Sequence, residues 1–239
     1  MQQSPAQMQQ ATPTVLPGGG APPPVGTAIQ SNLPLLLNGI WVTVQLALLA
    51  MVLALVLGVI FAVLRSVPVR PLRAIGTAYV EFFRNTPLLV QTFFVYFGLG
   101  SVGVRLPAFV AAFVALGVYT GAFVAETLRA GILAVDRGQL EASRSLGLSY
   151  GQTMRFVVLP QAIATTVPPL GNLAIALTKN TSLASSIAVA DLLYVANLVN
   201  SRTFATYEVF GFVALCYLVV TLPMGAAVGR LERRLTRYR

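Results

Sequence analysis

Between Gly39 and Leu64 the chain runs for 26 residues without a charged side chain, and it stops at Arg65. At about 1.5 Å of rise per residue, a helix of that length exceeds the ~30 Å hydrocarbon core of a bilayer, so one tilted crossing fits. Within the bilayer the backbone has to satisfy its own polar groups, which restricts the run to a helix and the rest of the chain to elements that can pack beside one. Trp41, near the start of the run, suits the lipid–water interface. The whole chain agrees: 56% of residues are hydrophobic and 10% charged, where a soluble domain is about one quarter charged.

Four further apolar segments lie downstream. The expected spans are 39–64, 85–99, 108–128, 161–178 and 209–228, an all-α integral membrane architecture. Residues 72–84 read as an amphipathic interfacial helix, and Pro87 as a kink or restart before a short second span. Gly117 and Gly121 give the third span the small-xxx-small spacing that lets helices approach closely. Pro168-Pro169 is expected to interrupt the fourth span, and residues 183–206 to lie at the surface or dip part-way in. Residues 1–32, rich in Gln, Pro, Gly and Ala and free of charge, are expected to be a disordered tail ahead of a membrane domain at 33–236. The first basic residue is Arg65, so the tail has no positive n-region and is not expected to be a secretory signal.

Assigning alternate loops to alternate sides puts thirteen basic residues on one side, among them Arg65, Arg84, Arg129, Arg144 and the C-terminal arginines, and Arg105, Lys179 and Arg202 on the other. Basic loops stay in the cytoplasm, so the expected arrangement is a multi-pass protein of the cytoplasmic (inner) membrane with its N-terminus outside and its C-terminus inside. The excess of base is thereby accounted for by membrane orientation, and no nucleic-acid motif accompanies it. The absence of histidine removes imidazole chemistry and Ser-His-Asp triads, and the single cysteine, Cys216, reads as a small buried apolar residue. No metal site is expected, and no catalytic residue. There is no GxxxxGK[ST] loop, so the chain does not bind ATP through a P-loop of its own.

The polar stretch 136–160 interrupts this pattern on the cytoplasmic side. Asp136 with Gln139 and Ser149 with Gln152 each have capping-box spacing, and Gly147 between them reads as a left-handed helix C-cap. The expected product is a short helix from Arg137 to Leu146, a tight turn and a second helix that feeds into a span. Local physics leaves two readings: an ordinary loop, or a lever on which another molecule pushes.

Glu141-Ala142-Ser143, then Gly147, then Val157, Leu159 and Pro160 resemble the loop signature (EAA, glycine, I-x-LP) of permease subunits of bacterial ABC importers, with Ser143 for alanine and Val157 for isoleucine. The resemblance extends over about residues 36–236. EFFRNTPLLVQTFFVYFGLG, YTGAFVAETLRAGI and KNTSLASSIAVADLLY look like the polar amino-acid branch (histidine, arginine, glutamine, glutamate), and the last looks most like glutamate-type permeases. The resemblance implies a type I importer-like five-helix permease fold in which 136–160 forms a coupling helix. It also implies an ATPase subunit dimer that binds ATP and Mg, a second permease subunit (identical or homologous) and an extracytoplasmic amino-acid-binding protein. The chain itself would move a polar amino acid by alternating access and hydrolyse nothing. The rival class is an ion-coupled secondary transporter or channel that needs no ATPase, and a further one is a scaffold or membrane anchor.

Candidate path residues are Arg84, Asn85 and Thr86 at the helix break, Tyr119 and Thr120 in the third span, and Asn172 and Lys179 in the fourth. A broken helix can present backbone dipoles to a substrate, or it can be a hinge. Lys179, the only lysine, reads as a guide for a substrate carboxylate or as a snorkelling anchor. Tyr119, Thr120 and Asn172 read as path-lining groups or as interhelical hydrogen bonders. Glu126 and Arg129 are spaced for a local ion pair, extendable to Glu141 or Arg144, with a proton relay at Glu126 as the alternative.

Overall fold

The computed structural model describes residues 26–236, and among these every regular element is helical. Helix α1 is Thr27–Ser66, α2 is Arg70–Arg84, α3 is Leu88–Ser101 with a π-turn at Phe94–Gly98, and α4 is Ala108–Leu133. Helix α5 is Arg137–Ser145. Helix α6 covers 150–180, with a π-turn at Met154–Val158, and runs into a 3-10 elbow at Thr181–Ile187. Helices α7 (Leu192–Thr203) and α8 (Thr206–Thr236) complete the described chain. Helices α1, α4 and α8 are each long and apolar enough to cross a membrane alone. Residues 150–187 pass that test together with α7, from which a 51° bend separates them, and α3 is a shorter apolar helix.

The bundle is built on the seam between α1 and α4. Lipid tails are as apolar as leucine, so two helices associate in a membrane only where they touch closely. Ala50 and Ala54 on α1 and Ala111, Ala122 and Ala125 on α4 are fully buried. A methyl group added at Gly58 would meet Val124 Cγ1 at 2.2 Å, and one at Gly117 would meet Leu53 Cδ2 at 2.6 Å. The small residues therefore stand where the backbones approach. Tyr79 of α2 stacks on Phe61 at 3.6 Å and donates its hydroxyl to the Val118 carbonyl at 2.7 Å, which hangs α2 on the same seam.

Four expectations change. The first helix begins at Thr27, so residues 27–32 are helical and not part of a tail. Residues 1–25 lie outside the described residues. Pro168 and Pro169 sit inside a continuous helix. They remove the donors that would serve the Ala164 and Thr165 carbonyls, yet packing carries the helix through. The basic C-terminal stretch continues α8 as far as Thr236. Finally, of the two placements expected for residues 183–206, at the surface or part-way in, α7 does not take the surface one. Its Leu192, Val195, Ala196 and Val199 are buried with Ala28 and Leu36 of α1 and Val209 and Val213 of α8. Apolar positions spaced i, i+3, i+4 and i+7 define a helical stripe, and the polar residues between them point away.

The elbow between α6 and α7 is pinned by short contacts. Gly39 of α1 leaves no room for a methyl against the Leu192 backbone, Thr43 Oγ1 accepts the Leu192 N–H at 3.1 Å, and Ala188 turns the chain with φ +61°. Asp191 caps α7, its Oδ1 accepting the Tyr194 N–H at 2.9 Å, while its Oδ2 is buried without a hydrogen-bond partner. Asp191→Ala, which removes this cap, should lower the stability of the purified chain by about 1 kcal/mol, read by thermal unfolding.

Candidate functional site

Two polar constructions stand at the end of the bundle marked by Arg65 and Arg129. The first is the segment between α4 and α6. After Leu133 the chain turns, and Asp136 Oδ1 accepts the Gly138 N–H at 2.6 Å to start α5. The complete capping box, with both reciprocal bonds, is at Ser149–Gln152; Asp136 caps without one. Helix α5 ends in a Schellman pair, Gly147 N–H to Arg144 O at 2.9 Å and Leu148 N–H to Ser143 O at 3.1 Å. Gly147 has φ +78° and open space around it. The left-handed backbone, not crowding, favours glycine there, at a cost of about 1 kcal/mol for other residues.

Helix α5 is fastened from below. Val135, Val158 and Ala162 are buried together, with Ile132, Leu140 and Met154 packed against them, so α5 sits on the last turn of α4 and the first turns of α6. Ser143 is buried at 3% exposure; its hydroxyl donates to Leu140 O at 2.9 Å and shares a hydrogen bond with the Thr153 hydroxyl at 3.2 Å. Serine in place of alanine thus adds a tie between α5 and α6. Glu141, Ala142 and Gly147 face outward, as do Leu159 and Pro160, and Val157 is half-buried. Leu146 and Tyr150 are 81% and 74% exposed, an apolar surface offered at the turn from α5 into α6.

The second construction is a clasp around Glu126. Its Oε1 accepts from Arg129 Nη2 at 2.7 Å, its Oε2 accepts from Arg65 Nη1, and Arg84 Nη1 stands 3.8 Å from the same Oε2. One carboxylate therefore joins α1, α2 and α4. The expected Glu126–Arg129 pair is present, but it reaches Arg65 and Arg84 and makes no ion pair with Arg144. Arg84 also lies over the Phe123 ring at 5.3 Å, and Phe123 contacts Tyr119 at 5.0 Å.

The remaining candidates are dispersed. The Asn85 and Thr86 side chains bond back to the Glu81 and Phe82 carbonyls and so close the end of α2. Thr120 is buried at 3% exposure, whereas Asn172 and Lys179 are exposed two turns apart on α6. Sequence reasoning missed Gln91. Its Nε2 donates to Phe83 O, Thr86 O and Thr86 Oγ1 and so bridges the break, while its Oε1 is buried without a partner. It also missed Arg65. The signal for Arg65 was available, because a carboxylate inside a span needs cationic partners and charge counting puts Arg65 at the same end.

Ser143→Ala should lower the stability of the purified chain by about 1 kcal/mol, the worth of its hydrogen bonds. Ser143→Leu should cost more, about 1–3 kcal/mol, because the added volume pushes α5 off α6. Thermal or denaturant unfolding of the two variants ranks them.

Comparison with known proteins agrees with this architecture. The chain is 48% identical over 204 residues to a probable glutamine ABC transporter permease protein of Bacillus subtilis, covering 85% of this chain and 94% of that one. It is 41% identical over 216 residues to a glutamate transport system permease protein of Corynebacterium glutamicum, covering 84% and 94%. Among solved structures, an amino acid ABC transporter crystallised with histidines superposes with a TM-score of 0.84 at 38% identity, covering 87% and 97% of the two chains. Residues 54–237 match the model of the binding-protein-dependent transport system inner membrane component, and the chain belongs to that family.

Proposed function

We propose that the chain is the permease subunit of an ATP-driven importer for a polar amino acid of the glutamate, glutamine or aspartate type. The observation that carries this reading is α5: a short helix packed against both α4 and α6, with Leu146 at its end and Tyr150 at the start of α6 exposed beside it. A push on it is a push on two long helices at once. The names of the relatives support the substrate class. The thirteen-to-three division of basic residues supports a cytoplasmic position for α5 and for the C-terminus, with the N-terminus outside.

In this reading an ATPase dimer that holds ATP and Mg docks on Glu141, Ala142 and Gly147, the buried Ser143 holds α5 to α6 beneath them instead of touching the ATPase, and Val157, Leu159 and Pro160 pass the movement into α6. A second permease, identical or homologous, supplies the other wall of the pathway, and an extracytoplasmic binding protein delivers substrate. Tyr119, Thr120, Asn172 and Lys179 line or approach the path, and Arg84, Asn85 and Thr86 stand at its cytoplasmic end. The chain performs no hydrolysis; it supplies the path and the lever.

The test is reconstitution with the ATPase and binding protein. Uptake of labelled glutamate or glutamine should require ATP; robust uptake driven by ion gradients alone, with no ATPase present, overturns the reading. Gly147→Asp should insert normally, yet lose ATPase docking and reduce uptake by about tenfold or more, a loss of at least ~1.4 kcal/mol at the contact. Pull-down of the ATPase by the purified variant separates lost docking from poor folding.

A further inference from the structure

The clasp around Glu126 is out of balance. Three guanidiniums, from Arg65, Arg84 and Arg129, surround one carboxylate, which leaves two positive charges uncompensated at the end of three helices. Glu81, one turn before Arg84 on α2, is exposed and makes no ion pair among the described residues. Uncompensated charge next to a low-dielectric span is costly and is ordinarily matched by an opposite charge.

The donors are unbalanced as well. Each guanidinium is a fork of N–H groups, and a carboxylate offers only two oxygens. Glu126 Oε1 is engaged by Arg129 and Oε2 by Arg65. Arg84 reaches Oε2 only at 3.8 Å, beyond a hydrogen bond, and its side chain is 40% exposed. Arg129 Nε is buried without an acceptor. Arg84 is nevertheless held in place, because the face of Phe123 lies under its guanidinium at 5.3 Å. A positioned, half-exposed guanidinium with unused donors suits bidentate capture of a second oxyanion.

Its setting selects the kind of anion. Tyr119, Phe123 and Glu126 lie four and three residues apart, on one face of α4, and the Tyr119 and Phe123 rings touch. In the transport reading, a solute that passes Tyr119 meets Arg84 next. We propose that Arg84, backed by the Arg65–Glu126–Arg129 bridge, is a carboxylate-binding station at the cytoplasmic end of the path, where the carboxylate of the departing amino acid is held before release. This rests on the transport reading above and adds to it an exit site. The same guanidinium chemistry would also accept the phosphate of an anionic lipid, so the experiment separates the two sources.

Binding of labelled L-glutamate to the full chain in nanodiscs of zwitterionic lipid is measured by equilibrium dialysis, with wild type and Arg84→Gln side by side. Arg84 makes no hydrogen bond to Glu126, so the variant leaves the Arg65 and Arg129 bridges in place, and an unchanged melting temperature verifies its fold. Wild type should bind glutamate saturably and more weakly as salt is raised. L-glutamine should compete through the shared α-carboxylate, and a diamine without a carboxylate should not. Arg84→Gln should weaken binding by about tenfold or more. Absence of saturable binding, or equal binding by the two proteins, overturns the proposal. So does a wild type that binds no glutamate in anionic nanodiscs while enriching phosphatidylglycerol in an Arg84-dependent way; the occupant would then be a lipid phosphate. ATP-dependent uptake by the wild-type complex is recorded in parallel. If that uptake needs no ATPase, the importer reading falls irrespective of the binding result; if it needs ATP and Arg84→Gln binds normally, only the exit station falls.

Discussion

The close approach of α1 and α4 is the contact on which the other elements depend. It has no hydrophobic effect to draw on within lipid, so it persists through short backbone distances and dispersion between small faces. Gly58, Gly117 and the buried alanines make those distances possible. Once the two helices are together, Arg65 and Glu126 lie at the same end and can meet, and α2 finds both a ring to stack on and a carbonyl to bond. The clasp is thus a product of the seam, and it also locks it, since separating α1 from α4 would break a half-buried ion pair.

The two ends of the bundle are built on different chemistry. At one end the elbow is fixed without an ion pair among the described residues: a threonine hydroxyl, an aspartate side chain capping α7, and backbone against glycine. At the other, charge does the fastening, with three guanidiniums on one carboxylate. A fastening by ion pairs is weakened by salt and by competing ions, and one without them is less so. The two ends of an alternating-access pathway would therefore answer to different stimuli.

Much of this was legible in the sequence. The apolar runs gave the helical class, and the Ser149 cap and Gly147 turn fall where the spacing puts them, because capping depends on residues within three positions of each other. The features that escaped notice depended on distant partners. Residues 27–32 look like tail until Ile29 donates its N–H to Glu208 on α8. Helix α7 looks too polar to bury until its one apolar stripe meets α1 and α8 together. Pro168-Pro169 reads as a break when only the local rule is applied, and the surrounding helices override it. The Gln91 bridge and the place of Arg65 in the clasp rest on geometry that no spacing along the chain encodes.

The π-turn at Met154–Val158 has a further consequence. A π-turn accommodates one residue more than an α-helix does over the same rise. It therefore absorbs that residue while the turns of helix on its two sides keep their rotational phase. Helix α6 leaves the π-turn with Asn172 and Lys179 on its exposed face and Gly171 against Val228. Losing one residue there would revert the turn to α-helix and leave that phase unchanged, whereas the same loss from an ordinary turn of α6 would rotate everything beyond it by about 100°. The π-turn is in this sense slack in the chain: one residue can be given up at Met154–Val158 without turning Asn172 and Lys179 off the exposed face.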